Sequence, residues 1–169
     1  MKKVLVFISC IIVLFASCKK DKQQTPAYYI TADVDGVPVS FTTNNLAKFS
    51  KATLTQNNKL YLYGAAGLDE NSDVISIDIS EPQPITQGST YTAIIDDTHY
   101  VGIAYVTAPF STTRPNQYIS YFDDGGMGIT ITSLTDKGIE GTFRGTLANI
   151  NNGTEKKLTN GKFKLMFNY

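Results

Sequence analysis

A single histidine, His99, limits the chemistry this chain can attempt. One imidazole cannot build a multi-histidine metal centre. Asp96 and Asp97 stand within three residues of it, which supplies two parts of a Ser-His-Asp relay. The third part, a serine on a Gly-x-Ser-x-Gly elbow, does not occur, and a triad needs all three groups arranged. His99 therefore reads as a rim residue of the strand that follows it. Asp69, Asn71 and Asp73 alternate oxygen ligands as a calcium loop does at its start. Val74 then stands where an EF-hand turn requires Gly, and Ser80 where it requires a bidentate Glu. Asp and Asn at this spacing also make turns by bonding their own backbone, and so does Asp123-Asp124-Gly125-Gly126. A glycosidase would need two carboxyls roughly 5–10 Å apart, one with a raised pKa. The sequence pairs no two of its acids, so a carboxylate hydrolase using Asp96, Asp97 or Asp123 is the least supported reading. No catalytic residue, metal site or cofactor is expected.

The tyrosines offer more. There are ten, beside nine phenylalanines and no tryptophan. Tyr61 and Tyr63 fall on one side of an alternating run, with Leu60 and Leu62 on the other. Tyr28, Tyr91, Tyr100, Tyr105, Tyr118 and Tyr121 are spread over other segments. A flat ring with a hydroxyl handle suits sugars, peptides and partner proteins, although strands favour Tyr for packing reasons alone. Tyr61 and Tyr63 are the expected ligand-binding residues. The missing tryptophan removes the largest stacking platform, which places a glycan partner second to an envelope protein.

Strands must position these side chains, because the dominant period is two. Ile75, Ile77 and Ile79 alternate with Ser76, Asp78 and Ser80; Ile129 and Ile131 alternate with Thr130 and Thr132; Phe163, Leu165 and Phe167 alternate with Lys162, Lys164 and Met166. One apolar and one wet face marks half-buried antiparallel strands. Asp35-Gly36 separates Tyr29–Val34 from Val37–Phe41 and can supply the positive φ of a two-residue hairpin. Asn57-Asn58 divides Lys51–Thr55 from Leu60–Tyr63, and Asn44 to Ser50 is expected to hold one short helical turn. Glu140 and Arg144 share strand parity and are expected to form a weak exposed pair. The class this predicts is all-β, an antiparallel β-sandwich of roughly ten strands forming one domain over residues 28–169.

Composition agrees with one folded module: 169 residues suffice for a single core, and 15 basic against 15 acidic side chains give no basic surplus for nucleic acid. Residues 1–17 have the layout of an export signal, with Lys2 and Lys3 before the apolar run Val4 to Phe15. That run is shorter than the about 20 residues a membrane span needs. Phe15-Ala16-Ser17-Cys18 resembles the lipobox of bacterial lipoproteins, with Phe15 where Leu is usual. The resemblance implies that the Cys18 thiol is diacylglycerated (palmitate is a usual chain), that the signal is cut before it, and that the new amino group is acylated. Each buried methylene adds about 0.8 kcal/mol, so several chains anchor where one does not. Residues 18–27 are then a polar tether, and the mature body retains no cysteine and 13 basic against 15 acidic side chains.

Three further stretches, Ala32-Asp33-Val34-Asp35-Gly36-Val37, Gly138-Ile139-Glu140-Gly141-Thr142-Phe143-Arg144-Gly145-Thr146-Leu147 and Leu158-Thr159-Asn160-Gly161-Lys162-Phe163, resemble recurrent pieces of small Bacteroidetes-type lipoproteins of a domain-of-unknown-function family. That resemblance implies a β-sandwich outside the cytoplasm and carries no active site. The expected function is a lipid-anchored, non-catalytic binding or structural module of the cell envelope, on the outer membrane at its periplasmic or surface face. A carbohydrate-binding accessory lipoprotein is the alternative. The partners expected are the membrane, through the anchor, and an envelope protein or glycan. Replacement of Cys18 by Ser should move the protein from the detergent phase to the aqueous phase in a partitioning assay.

Overall fold

The Asp35-Gly36 pair turns the chain as its residue types require. Asp35 has φ 52° and Gly36 has φ 81°, the left-handed pair of a type I′ turn. The turn joins β1 (Tyr29–Val34) to β2 (Val37–Phe41), which pair from Val34↔Val37 outward. The computed structural model describes residues 27–107, 116–120 and 126–168. Over these the chain continues through β3 (Thr43–Ser50), β4 (Asn58–Ala65), β5 (Val74–Glu81), β6 (Thr90–Tyr91), β7 (Ile94–Ile95) and β8 (Tyr100–Thr107). It ends with β9 (Asn116–Ser120), β10 (Gly128–Leu134), β11 (Gly138–Asn149) and β12 (Glu155–Met166).

All twelve strands belong to one antiparallel sheet, ordered β2-β1-β12-β11-β9-β8-β5-β4-β3, with β10 and β6 beside β11 and β7 beside β8. The fold is all-β and nearly barrel-shaped. Two features bring the ends of the sheet together. Only Thr42 separates β2 from β3, although these strands stand at opposite ends of the order. Beyond β12, the Asn168 N–H donates to the Ala47 carbonyl at 2.9 Å, and Asn168 Oδ1 accepts from the Ala47 N–H at 3.2 Å. No helix among the described residues is long and apolar enough to cross a membrane.

Strand alternation fills the interior. Leu60, Leu62, Ile75, Ile77, Ile79, Ile129 and Ile131 are all 0% exposed; each such side chain contributes about 1.5–3 kcal/mol relative to leaving it in water. The count exceeds the expected ten strands because β6 and β7 are two-residue pairings too short to show a period. Asn44 to Ser50 is strand, not a helical turn. Asn44 has φ 52°, which bulges β3, and beyond it Ala47 packs inward at 0% exposure opposite Leu62. Lys51–Thr55 is correspondingly not a strand; it lies in the β3–β4 connection, closed by a Thr53↔Gln56 bridge.

The longest strands of the sheet are the paired β11 and β12, twelve residues each. Here Gly141 opposes Phe163 and Gly161 opposes Phe143. The two rings stack at 6.4 Å and 24°. A Cβ at Gly141 would lie 2.3 Å from Phe163 Cζ and 2.3 Å from the Thr130 carbonyl oxygen. A Cβ at Gly161 would lie 2.3 Å from the Phe143 carbonyl oxygen and 2.7 Å from its ring. Each ring thus occupies the room its partner's missing side chain leaves, and the Gly-x-Phe pattern of the sequence is a packing rule. Gly141→Ala should cost about 1–3 kcal/mol through overpacking and lower the melting temperature by up to roughly 10 °C. Thr142→Ala, on the exposed side of the same strand, should leave a thermal melt nearly unchanged.

Candidate functional site

With Leu and Ile committed to the interior, alternation sends Tyr61 and Tyr63 of β4, Ser76, Asp78 and Ser80 of β5, and Tyr100 and Gly102 of β8 to the outer face. Register sets them side by side. Asp78 lies between Tyr61 and Gly102, and Ser80 between Lys59 and Tyr100; Lys48 of β3 flanks Tyr61 from the other side. Tyr61 and Tyr63 share a face as expected and are half-buried. Tyr100, 39% exposed, joins them, with its hydroxyl 3.0 Å from where a Cβ of Gly102 would stand. The tip of that ring therefore lies over Gly102, whose lack of a side chain admits it.

Asp78 is the unusual member. It is half-buried, and among the described residues no hydrogen bond or ion pair reaches its carboxylate. Burial raises its pKa above the usual aspartate value, with Lys59 opposing in part. Burial also raises the pKa of Tyr61 and Tyr100, and in both the negative charge of Asp78 adds to the effect. These groups sense one another across three strands. Parity along one strand groups Tyr61 with Tyr63, but Asp78 and Tyr100, each read on its own segment, join them only through strand pairing. Asp78 sits in the middle of an isoleucine strand, a detectable oddity, but which residues flank it depends on strand pairing.

The remaining candidates have other duties. His99 Nδ1 is 2.8 Å from Asp96 Oδ2, and Nε2 is 3.7 Å from Glu81 Oε2. Asp96 Oδ1 also accepts from the Thr98 N–H, the Thr98 hydroxyl and the His99 N–H. These bonds, led by the Thr98 N–H, hold its carboxyl well below the usual range. Asp97 is exposed at the same turn. Asp69 Oδ1 accepts from the Asn71 N–H at 2.7 Å in a turn, while Asp73 takes the hydroxyl of Tyr105, so these oxygens do not converge. No group of three or more His, Cys, Asp or Glu among the described residues is placed to hold a metal ion. Tyr105 and Tyr118 are core residues, 4% and 8% exposed.

The expected Glu140–Arg144 pair is replaced. Glu140 Oε1 instead meets Lys164 Nζ at 2.7 Å, because those residues are direct cross-strand partners. Four positions along a strand span about 13 Å, whereas adjacent strands lie about 4.8 Å apart. Cys18, the signal, Tyr121 and Asp123-Asp124-Gly125 lie outside the described residues.

A cleft of about 600 Å³ opens beside the β3–β4 connection, lined by Phe49, Lys51, Asn58, Pro84, Ile85 and Leu134 among others. Its buried polar group is already occupied. Asn58 Oδ1 accepts from the Ala52 N–H, and its Nδ2 donates to the Gln83 carbonyl at 2.9 Å. Asn58 is thereby committed to the chain's own backbone, whereas among the described residues no hydrogen bond reaches the Asp78 carboxylate.

No family model, curated protein or solved structure matches the chain.

A carboxylate with a raised folded pKa stabilises less as pH rises, since the native state then holds a proton more tightly than the unfolded one. That contribution is complete below the unfolded pKa and is lost as pH passes the folded value. Asp78→Asn should therefore raise the melting temperature by a few degrees at neutral pH. The gain should shrink to nothing as pH falls through the carboxylate range, as a series of thermal melts would show.

Proposed function

We propose that the protein is a lipid-anchored, non-catalytic binding module of the bacterial cell envelope. In this reading the signal over residues 1–17 is removed, Cys18 carries the acyl chains, and residues 18–27 tether the β domain at the outer membrane. The partner is an envelope protein or glycan met by the outer face of β4, β5 and β8. The resemblance of the amino end to a lipobox supports the anchor. The two walls of the curled sheet, joined across the interior by the edge-on contact of Phe41 with Tyr105 at 6.1 Å, support reading the domain as a partly closed sandwich.

One observation carries the binding assignment. Three tyrosines, Tyr61, Tyr63 and Tyr100, stand around the half-buried Asp78 carboxylate, to which no hydrogen bond or ion pair runs among the described residues, Lys59 acting on it only electrostatically. Aromatic rings with polar handles are the side chains most often responsible for recognition. A half-buried charge that accepts no hydrogen bond is costly to the fold, which makes it a poor structural device and a sound ligand acceptor.

The chain carrying Cys18→Ser, free of its anchor, should be retained on washed envelope particles. Adding Tyr61→Ser and Tyr63→Ser should reduce retention about tenfold or more while shifting the melting temperature by only a few degrees, because each exposed cross-strand pair is worth about 0.2–1 kcal/mol. Unchanged retention would overturn the assignment, and a collapse in stability would make the two rings structural.

A further inference from the structure

We propose that the face around Asp78 takes a neutral sugar, with the carboxylate accepting hydrogen bonds from ring hydroxyls and the rings of Tyr61 and Tyr100 lying against the sugar's C–H surfaces. The inference rests on reading this face as a binding surface and names its ligand class.

Charge selects among ligands. Asp78 is flanked by Lys59, which acts on it electrostatically, and Lys48 stands in register beside Tyr61. A cationic peptide would be drawn to Asp78 but repelled by the two ammonium groups. An acidic polymer would be drawn to the lysines and repelled by the carboxylate. A neutral polyol uses both signs, since each hydroxyl donates to a carboxylate and accepts from an ammonium. Ser76 and Ser80, two positions to either side of Asp78 on the same face of β5, add groups that do both.

Shape points the same way. Tyr61 and Tyr100 stand on strands two spacings apart, about 9.6 Å, with Asp78 on the strand between them. Gly102 completes the seat: its Cβ would come 3.0 Å from the Tyr100 hydroxyl and 3.2 Å from Cζ. The ring can thus settle along the sheet and present apolar surface outward. Rings of Tyr size give two small platforms bridged by one acceptor, an arrangement suited to a short stretch of a glycan chain.

The test applies the chain carrying Cys18→Ser to an array of neutral gluco-, manno- and chito-oligosaccharides, with polygalacturonate and a lysine-rich peptide as charged probes. Saturable binding to at least one neutral oligosaccharide is expected. Asp78→Ala and Tyr100→Ala should each weaken it about tenfold or more, Asp97→Ala should not, and melts of all three should show folded protein. Absence of neutral-sugar binding, preference for either charged probe, or binding indifferent to Asp78 and Tyr100 would each overturn the inference. If sugars fail while Tyr61→Ser/Tyr63→Ser still abolishes envelope retention, the surface stands and only its ligand is wrong. If retention is also unaffected, both readings fall.

Discussion

Two aromatic rings, each set over a glycine of the neighbouring strand, are the constraint on which the rest of the sheet depends. Phe143 over Gly161 and Phe163 over Gly141 lock β11 to β12 in one register, because a slip of one residue would bring a side chain where only a hydrogen fits and turn every side chain to the opposite face. Other strands take their positions from this pair. β11 receives β10 along its first half and β9 along its second, and β12 receives β1. Asn160, with φ 53°, bulges β12 just before Gly161, and its amide donates to Asp33 Oδ2 at 2.7 Å. A bulge bends its strand and sharpens the local twist, which lets a twelve-residue strand follow the curl of the sheet.

A sheet that closes on an apolar interior leaves its outer face free of packing duty. Most of that face follows ordinary surface rules, with ion pairs such as Glu140–Lys164 between neighbouring strands and Asp35–Lys156 between the β1–β2 turn and β12, each 2.7 Å long. The patch on β4, β5 and β8 departs from them. Lys59 lies close enough to influence Asp78 yet forms no ion pair with it, and the carboxylate stays half-buried among rings that make its charge less comfortable. A sequence under pressure for stability alone would place a threonine there, as β10 and β11 do with Thr130 and Thr142. Local conflict of this kind, in a fold otherwise consistent at every level, is where function is expected to reside.

Much of the fold was legible because period two and turn chemistry are local signals. Ile75, Ile77 and Ile79 declared an inner face, Asp35-Gly36 declared a hairpin, and both are as read. What failed depended on partners. Asn44 to Ser50 lacks clean alternation because the positive-φ Asn44 bulges the strand, so its strand character comes from pairing with β4. Glu140 found Lys164 instead of Arg144 because cross-strand distance is invisible along a chain. The site was half legible for the same reason: Tyr61 and Tyr63 lie on one strand, while Asp78 and Tyr100 reach them only through two registers.

His99 is part of the turn that leads into β8. Asp96 gathers the Thr98 and His99 backbone N–H groups and the His99 ring into one turn, and Tyr100 begins β8 at the next residue. Asn57 ties the turn to the β3–β4 connection through the Thr98 carbonyl. The two carboxylates involved are shifted in opposite senses. Hydrogen bonds lower the pKa of Asp96, so the turn's stabilisation is present above the unfolded carboxylate pKa and is lost only as pH falls through a lower folded value. Burial raises that of Asp78, so on acidification it is the first of the two to take a proton. The turn that leads into Tyr100 therefore still holds at a pH where Asp78 has already lost its charge.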